Sequence, residues 1–256
     1  MESLLLPSKI HYQAGDRPHE GILTVEPCSP GYGTTIGNAL RRVLLGSLPG
    51  AAVTAVKIKG VDHEFSTIEH VKEDVVEIIL NLKSFRLKLH TEEPVKLFLK
   101  AEGAKVVTAA DFEPNADVEI VNSDHAICTL TDKSASFEME VTVATGRGYR
   151  STEERAKEKL ELGNIAIDAL YSPVLNVSYK VEATRVGEKT DYDKLVLRVE
   201  TDGSLDPKEA VQQSVQILLD HFNLLQQLDE SEDLVAETEE AVESETDQMA
   251  TDDVEA

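Results

Sequence analysis

The sequence has no tryptophan, few aromatic residues and only two cysteines, and these shortages narrow the possible classes of protein. Aromatic residues make up 5% of the 256 positions. Cys28 and Cys128 are far apart and have no neighbouring ligand residues, which indicates buried thiols in a reducing compartment and argues against a disulfide framework or a zinc site. No apolar run reaches the roughly 18 residues of a membrane span, and the acidic Glu2 argues against a secretory signal. Together these absences predict a cytoplasmic protein.

Basic charge is also scarce, and the acidic excess is unevenly distributed. The net charge is −23. Residues 229–256 hold 13 acids, no base and no aromatic residue, which leaves 35 acids against 25 bases in the preceding 228 residues. Free-standing duplex-DNA binders usually carry a net basic face, so any basic surface here must be local. Low hydrophobicity with dense like charge predicts that the acidic tail is disordered.

Strand patterns interrupted by isolated helices predict an α+β fold. At 41% apolar and 29% charged, the composition fits a globular chain of one or two domains. We expect helices from Ile36 to about Leu48, at Glu73–Lys83, and from Asp206-Pro207 to about Leu228. The predicted strands are residues 10–27, 51–62, 86–89, 96–100, 117–121, 126–130, 136–143, 174–184 and 194–200. This order is typical of α+β proteins and not of a doubly wound sheet.

The three predicted helices differ in their apolar surfaces. The middle helix is apolar on most sides, which is typical of a buried helix. The first carries a stripe at spacings of three and four, and the last a heptad stripe. The stripe residues are Ile36, Leu40, Val43, Leu44 and Leu48, and then Val211, Val215, Leu218, Phe222 and Leu225. The last stripe either lies on the chain's own core or also binds a partner helix, and the pattern leaves both open.

Patterns typical of catalysis fail on spacing or on partner residues. The glycines of Gly31–Gly37 are wrongly spaced for a phosphate loop and lack its Gly-Lys-Ser/Thr, so they predict a tight turn that leads into a helix, with Thr34 or Thr35 as its cap. His63-Glu64 lacks the second histidine of a zincin, and the acids at 111–119 favour a solvated face over a metal site. We predict no catalytic residue, no metal site and no cofactor. Arg41-Arg42 can extend along the apolar surface, pair internally or anchor a partner protein.

Several blocks in order resemble the family of bacterial-type DNA-directed RNA polymerase α subunits. The most extensive is Thr35–Ser47, TIGNALRRVLLGS. The others are residues 60–67, 71–83, 107–111, 146–149, 167–174 and 190–195. Order and spacing hold over roughly residues 5–228.

This resemblance implies a homodimeric scaffold that nucleates assembly of the β and β′ subunits for transcription. The chain is then a non-catalytic subunit of a nucleotidyltransferase (a transferase), and it meets DNA only indirectly. A stand-alone homodimeric interaction module and a self-sufficient enzyme are the alternatives. The implied division is residues 1–49 plus 174–228 for dimerisation, 50–173 as an inserted β-rich subdomain and 229–256 as the tail.

Individual roles also follow from the resemblance. The positions matching β contacts are Arg42, Leu45 and Glu77, and those matching β′ contacts are Lys83, Ile167, Val174 and Lys194. The implied dimerisation residues are Ile36, Leu40, Val43, Leu44, Val211, Val215, Leu218, Phe222 and Leu225.

The chain departs from the family pattern at two places. His70 stands where the family commonly has glycine, which adopts positive φ angles more readily than histidine does. The acidic tail stands where the family has a linker and a small helical domain that binds upstream DNA. We therefore expect that this subunit lacks promoter-DNA recognition.

Overall fold

The computed structural model describes residues 4–155 and 163–226, and within these ranges it contains three helices and 14 strands. The helices are α1 (Tyr32–Gly46), α2 (Val75–Lys83) and α3 (Pro207–Gln226). The strands are β1 (Lys9–Ala14), β2 (Glu20–Cys28), β3 (Pro49–Ile58), β4 (Leu87–Leu89), β5 (Val95–Glu102), β6 (Val106–Thr108), β7 (Val118–Ile120), β8 (Ala126–Thr129), β9 (Ser136–Arg147), β10 (Tyr149–Arg150), β11 (Ile165–Ala166), β12 (Ala169–Leu170), β13 (Val174–Val186) and β14 (Lys189–Thr201).

One antiparallel sheet has the strand order β1-β2-β14-β13. Helix α1 packs on β13 and β14. Val25, Cys28 and Leu195 are buried together, and Ile36 of α1 packs against them. Gly37 allows the helix to lie close to the sheet, because an added Cβ would come within 2.7 Å of the Tyr179 ring.

The second four-stranded sheet has the order β11-β3-β9-β5 and is also antiparallel. Strands β5 and β9 alternate buried apolar residues with more exposed polar ones, which is the period-2 pattern of a sheet with one solvated face. Val75, Ile78 and Leu82 of α2 join the core of this sheet. Two-stranded pairs β4-β7, β6-β8 and β10-β12 complete the sheets of the described residues.

The predicted α+β class is confirmed, because all strand pairings among the named strands are antiparallel and the three α-helices are separated from one another by strands. By its contacts the chain divides into two units, Met1–Ser214 and Val215–Ala256. The division at residues 49 and 174 stays a prediction. The tail at 229–256 and the end of the last predicted helix at Leu228 lie outside the described residues.

Four details of the predicted elements are wrong. Helix α1 begins at Tyr32, four residues early, with Gly31 rather than a threonine before it. Pro27 does not end its strand, which continues to Cys28. Helix α2 is buried on one side only, because Leu80 is 56% exposed. Its start at Val75 leaves Glu73 outside the helix.

His70 adopts the conformation that favours the glycine common in the family. Its φ is 64°, in the left-handed region where a side chain is strained. The turn is held by its carbonyl oxygen, which accepts hydrogen bonds from the Thr131 amide at 2.9 Å and the Thr131 hydroxyl at 3.0 Å. The departure from the family pattern is therefore a strained position.

Candidate protein-interaction sites

Helix α1 separates the residues of its block onto two faces. Leu40 and Leu44 are buried in the chain's own core, whereas Arg41, Arg42 and Leu45 are exposed. An exposed arginine one turn before an exposed leucine forms a small patch that suits a protein contact. The structure thus places both α1 residues implied for β contact on the surface.

Both ends of α1 are held by residues from distant parts of the chain. At its start, the Asp193 carboxylate accepts the amides of Gly31 at 2.9 Å and Gly33 at 3.1 Å. At its end, the Ser172 hydroxyl donates to the Leu45 carbonyl at 3.2 Å. The amides that a phosphate loop would use are therefore satisfied by a carboxylate of the chain itself. Gly31, with φ 85°, forms the predicted tight turn.

Helix α2 displays Glu77 on its exposed side. Its first turn is capped by the Asp74 carboxylate, which accepts the Glu77 amide at 2.7 Å. The neighbouring Glu73 accepts the Thr129 amide at 2.6 Å and hydroxyl at 2.9 Å, and so fixes the start of the helix on β8. The hydrogen bonds of Asp74 and Glu73 therefore fix the first turn of α2, from which the Glu77 side chain projects.

Lys83, the last residue of α2, binds Asp168, which the sequence did not single out. Its ammonium lies 3.0 Å from Asp168 Oδ2. The other carboxylate oxygen accepts the Thr152 amide at 3.0 Å. These two bonds, that of Thr152 first, hold the pKa of Asp168 below its ordinary value. Asp168 belongs to the same block as Ile167, so the structure brings together two blocks that carry implied β′ contacts.

Ile167 and Val174 are both buried in this chain, and their assignment to β′ contact stays a prediction. Ile167 is 1% exposed and lies in the core of the second sheet, and Val174 is 5% exposed. Position in a matching block says nothing about the direction of a side chain, and both residues point inward.

Lys194 lies apart from Val174. In the β13–β14 register, Val174 is opposite Thr201 and Lys194 is opposite Glu182, a separation along the strands of about 25 Å. The pKa of Glu182 is lowered, first by Lys180 and to a smaller extent by Lys194. The four residues implied for β′ therefore do not form one cluster.

The implied dimerisation residues fall into buried and exposed groups. Leu40, Leu44 and Val211 are buried within the chain, and Ile36, Val43 and Leu218 are partly buried. The side chains of the three buried residues fill their own core, and their assignment to the dimer interface stays a prediction. The exposed group lies in the second half of α3. This apolar surface, here called the α3 stripe, comprises Val215, Leu219, Phe222 and Leu225. Leu224 is also exposed but lies on the opposite side of the helix.

The remaining candidates for chemistry have structural roles. Asp111 caps the short helical turn at Ala109–Asp111 and binds Lys105 at 2.6 Å. Among residues 4–155 and 163–226, no three His, Cys, Asp or Glu side chains converge as metal ligands. Both cysteines are buried, and burial raises the pKa of Cys128 to about 12. In the described part of the chain, no helix is both long enough and apolar enough to cross a membrane.

The geometry defines an α+β protein with exposed charged and apolar side chains on its helices. Comparison with known proteins finds similar chains. Residues 56–172 match the family model described as the RNA polymerase Rpb3/RpoA insert domain. The chain is 53% identical over 204 residues to the "DNA-directed RNA polymerase subunit alpha" of Alkaliphilus oremlandii and 53% identical over 204 residues to that of Moorella thermoacetica. It is 51% identical over 201 residues to the protein of the same name from a Roseiflexus species.

These matches cover 80%, 80% and 78% of this chain and 64%, 65% and 62% of the respective relatives. Over these residues the chain is similar to DNA-directed RNA polymerase α subunits. It spans a little under two thirds of the length of the relatives it matches.

Proposed function

We propose that the chain is a homodimeric scaffold on which the β and β′ subunits of RNA polymerase assemble. The α3 stripe carries the first part of this proposal. Phe222 and Leu225 are each 59% exposed, and four large apolar residues on one side of three helical turns exceed what a solvent-facing helix surface usually carries. A symmetric partner supplies the same stripe in return, as a two-fold interface requires.

The second part concerns the large subunits. The patch of Arg42 and Leu45 and the exposed Glu77 are proposed to bind β, and Lys83 and Lys194 are proposed to bind β′. Arginine next to an apolar residue is a frequent centre of binding energy at interfaces. The support comes from exposure: these side chains are at least partly accessible, and fixed backbone bonds set the direction of α1 and α2.

The chain's own part in RNA synthesis is proposed to be assembly alone. The enzyme is a nucleotidyltransferase, and the groups that bind nucleotides and metal are proposed to belong to β and β′. Contact with DNA is then indirect, through the assembled enzyme. A purified α dimer that polymerises nucleotides without β and β′ contradicts this.

Sedimentation equilibrium of the purified full chain tests the dimer. Phe222→Asp should raise the dissociation constant of the dimer by at least about 100-fold. In a two-fold dimer the substitution removes one phenylalanine from each copy and places a charged carboxylate in the apolar interface. Asn223→Asp is the matched control: it adds the same charge one residue along the exposed helix and should leave the dimer intact. A wild-type monomer, or equal effects of both variants, contradicts the proposed interface.

A further inference from the structure

We propose that Asp168 is a positioning residue for β′ recognition: it fixes the direction in which Lys83 presents its ammonium group. The inference rests on the proposed function, in which Lys83 contacts β′. It adds a residue that the block resemblance did not single out, and it gives the buried Ile167 a supporting role.

The backbone that carries Asp168 is bound on both sides. Strand β11 pairs with β3, and the Ile167 amide donates to the Thr54 carbonyl at 2.9 Å. Strand β12 begins directly afterwards at Ala169 and pairs with β10. The Arg155 guanidinium donates to the carbonyls of Ile167 and Thr54. Asp168 therefore stands in a two-residue connection whose flanking bonds leave it little freedom.

Both oxygens of the Asp168 carboxylate accept a hydrogen bond. Oδ1 accepts the Thr152 amide and Oδ2 receives the Lys83 ammonium, each at 3.0 Å. A surface ion pair usually contributes little because both side chains must be ordered for it. Here the Thr152 bond orders the carboxylate independently of the lysine. The lowered pKa of Asp168 has the same two causes and agrees with a carboxylate bound in its charged form.

Lys83 remains accessible to a partner protein while it is paired with Asp168. Its side chain is 37% exposed and that of Asp168 29% exposed. An ammonium group has three donor hydrogens, and the ion pair uses one. Without Asp168, a long lysine side chain at a helix end samples many rotamers, and binding β′ must then order it. With Asp168, that ordering precedes binding.

Ile167 explains how a buried residue supports this surface. Its side chain lies in the core of the second sheet and its backbone is held through both the amide and the carbonyl. A change of side-chain size at this position shifts the neighbouring Asp168. The expected consequence is a weaker β′ contact without any direct contact by Ile167.

The test is a double-mutant cycle on the complete assembly. Wild type, Asp168→Asn, Lys83→Ala and the double variant are co-purified with β, and the affinity of each α₂β complex for β′ is titrated. Asp168→Asn should weaken β′ binding about fivefold, the upper range for an exposed pair. It should have no further effect once Lys83 is alanine. Binding of β should stay unchanged, because a general loss of structure would weaken both.

The control is Glu138→Gln. Glu138 pairs with Lys59 at 2.8 Å on the outward face of the second sheet, and its pKa is also lowered, first by the hydrogen bond from Lys59. Losing this equally short pair should not change β′ affinity. Additive effects of the Asp168 and Lys83 variants, or an effect on β as large as that on β′, overturn the positioning role while the scaffold function stands. If Lys83→Ala leaves β′ affinity unchanged, the proposed contact of Lys83 fails, and the inference fails with it.

Discussion

Replacing Asp193 by alanine should remove the cap of the helix that carries the proposed β contact. The Asp193 carboxylate receives two amides at the start of α1. The helix has no other side-chain cap and no acidic residue in its first turn. Loss of a capping acceptor costs about 1 kcal/mol and loss of a favourable charge at a helix N-terminus about 0.3–1 kcal/mol. With a second amide left unbonded, the expected loss in the free energy of unfolding is about 2–3 kcal/mol.

Urea unfolding followed by circular dichroism measures this loss, at one fixed protein concentration because the stability of a dimer depends on it. For a chain of this size the melting temperature should fall by about 4–10 °C. Asp193→Asn is the matched control, because it keeps an oxygen acceptor and loses only the charge, so about 1 kcal/mol is expected. A loss below about 0.5 kcal/mol for Asp193→Ala would refute the capping role, as would equal losses for both variants.

Three further predictions concern single positions. Gly50→Ala should destabilise by about 3 kcal/mol, because its Cβ would lie 1.8 Å from the Tyr171 carbonyl oxygen. Gly46→Ala, with no atom within 4 Å of the added Cβ, should be neutral or stabilising in the same urea assay, and equal losses would contradict the close approach. Cys128 should resist iodoacetamide at pH 8 in the native protein and react after unfolding, since its pKa of about 12 keeps the thiol protonated; native labelling within minutes, read by mass spectrometry, would show that the thiol is accessible. His70→Gly should raise stability by up to about 1 kcal/mol by relieving a positive φ, partly offset by the freedom of glycine in the unfolded chain; a marked loss would mean that the histidine side chain stabilises the turn.

Elements defined by local pattern were predictable from the sequence. The alternation in β5 and β9 follows from a sheet with one buried face, and that pattern needs no knowledge of the partner strand. The start of α1 was not predictable in the same way. Its amides are satisfied by Asp193, about 160 residues further along the chain, whereas a search for a cap considers only adjacent residues such as Thr34.

The candidate site was likewise predictable only where a local pattern in the sequence defined it. The resemblance pointed to Lys83 and Ile167 without giving the direction of either side chain. The fold buries Ile167 and pairs Lys83 with Asp168. Asp168 lay in a recognised block, but an ion pair across 85 residues depends on how the fold brings the end of α2 to the connection between β11 and β12, which no spacing in the sequence reveals. Val215, Phe222 and Leu225 of the α3 stripe were readable as part of a heptad pattern, and their exposure favours the proposed contact with a partner helix.

The central claim is that this chain dimerises and then captures β through the exposed face of α1, and native mass spectrometry of the co-expressed subunits tests it most directly. Wild-type protein should give an α₂β complex. Arg42→Ala should give an intact α dimer with β capture reduced about tenfold or more, as expected for an arginine at the centre of an interface. A chain that stays monomeric, an α dimer that captures no β, or an Arg42→Ala variant that loses the dimer instead of β would contradict the account.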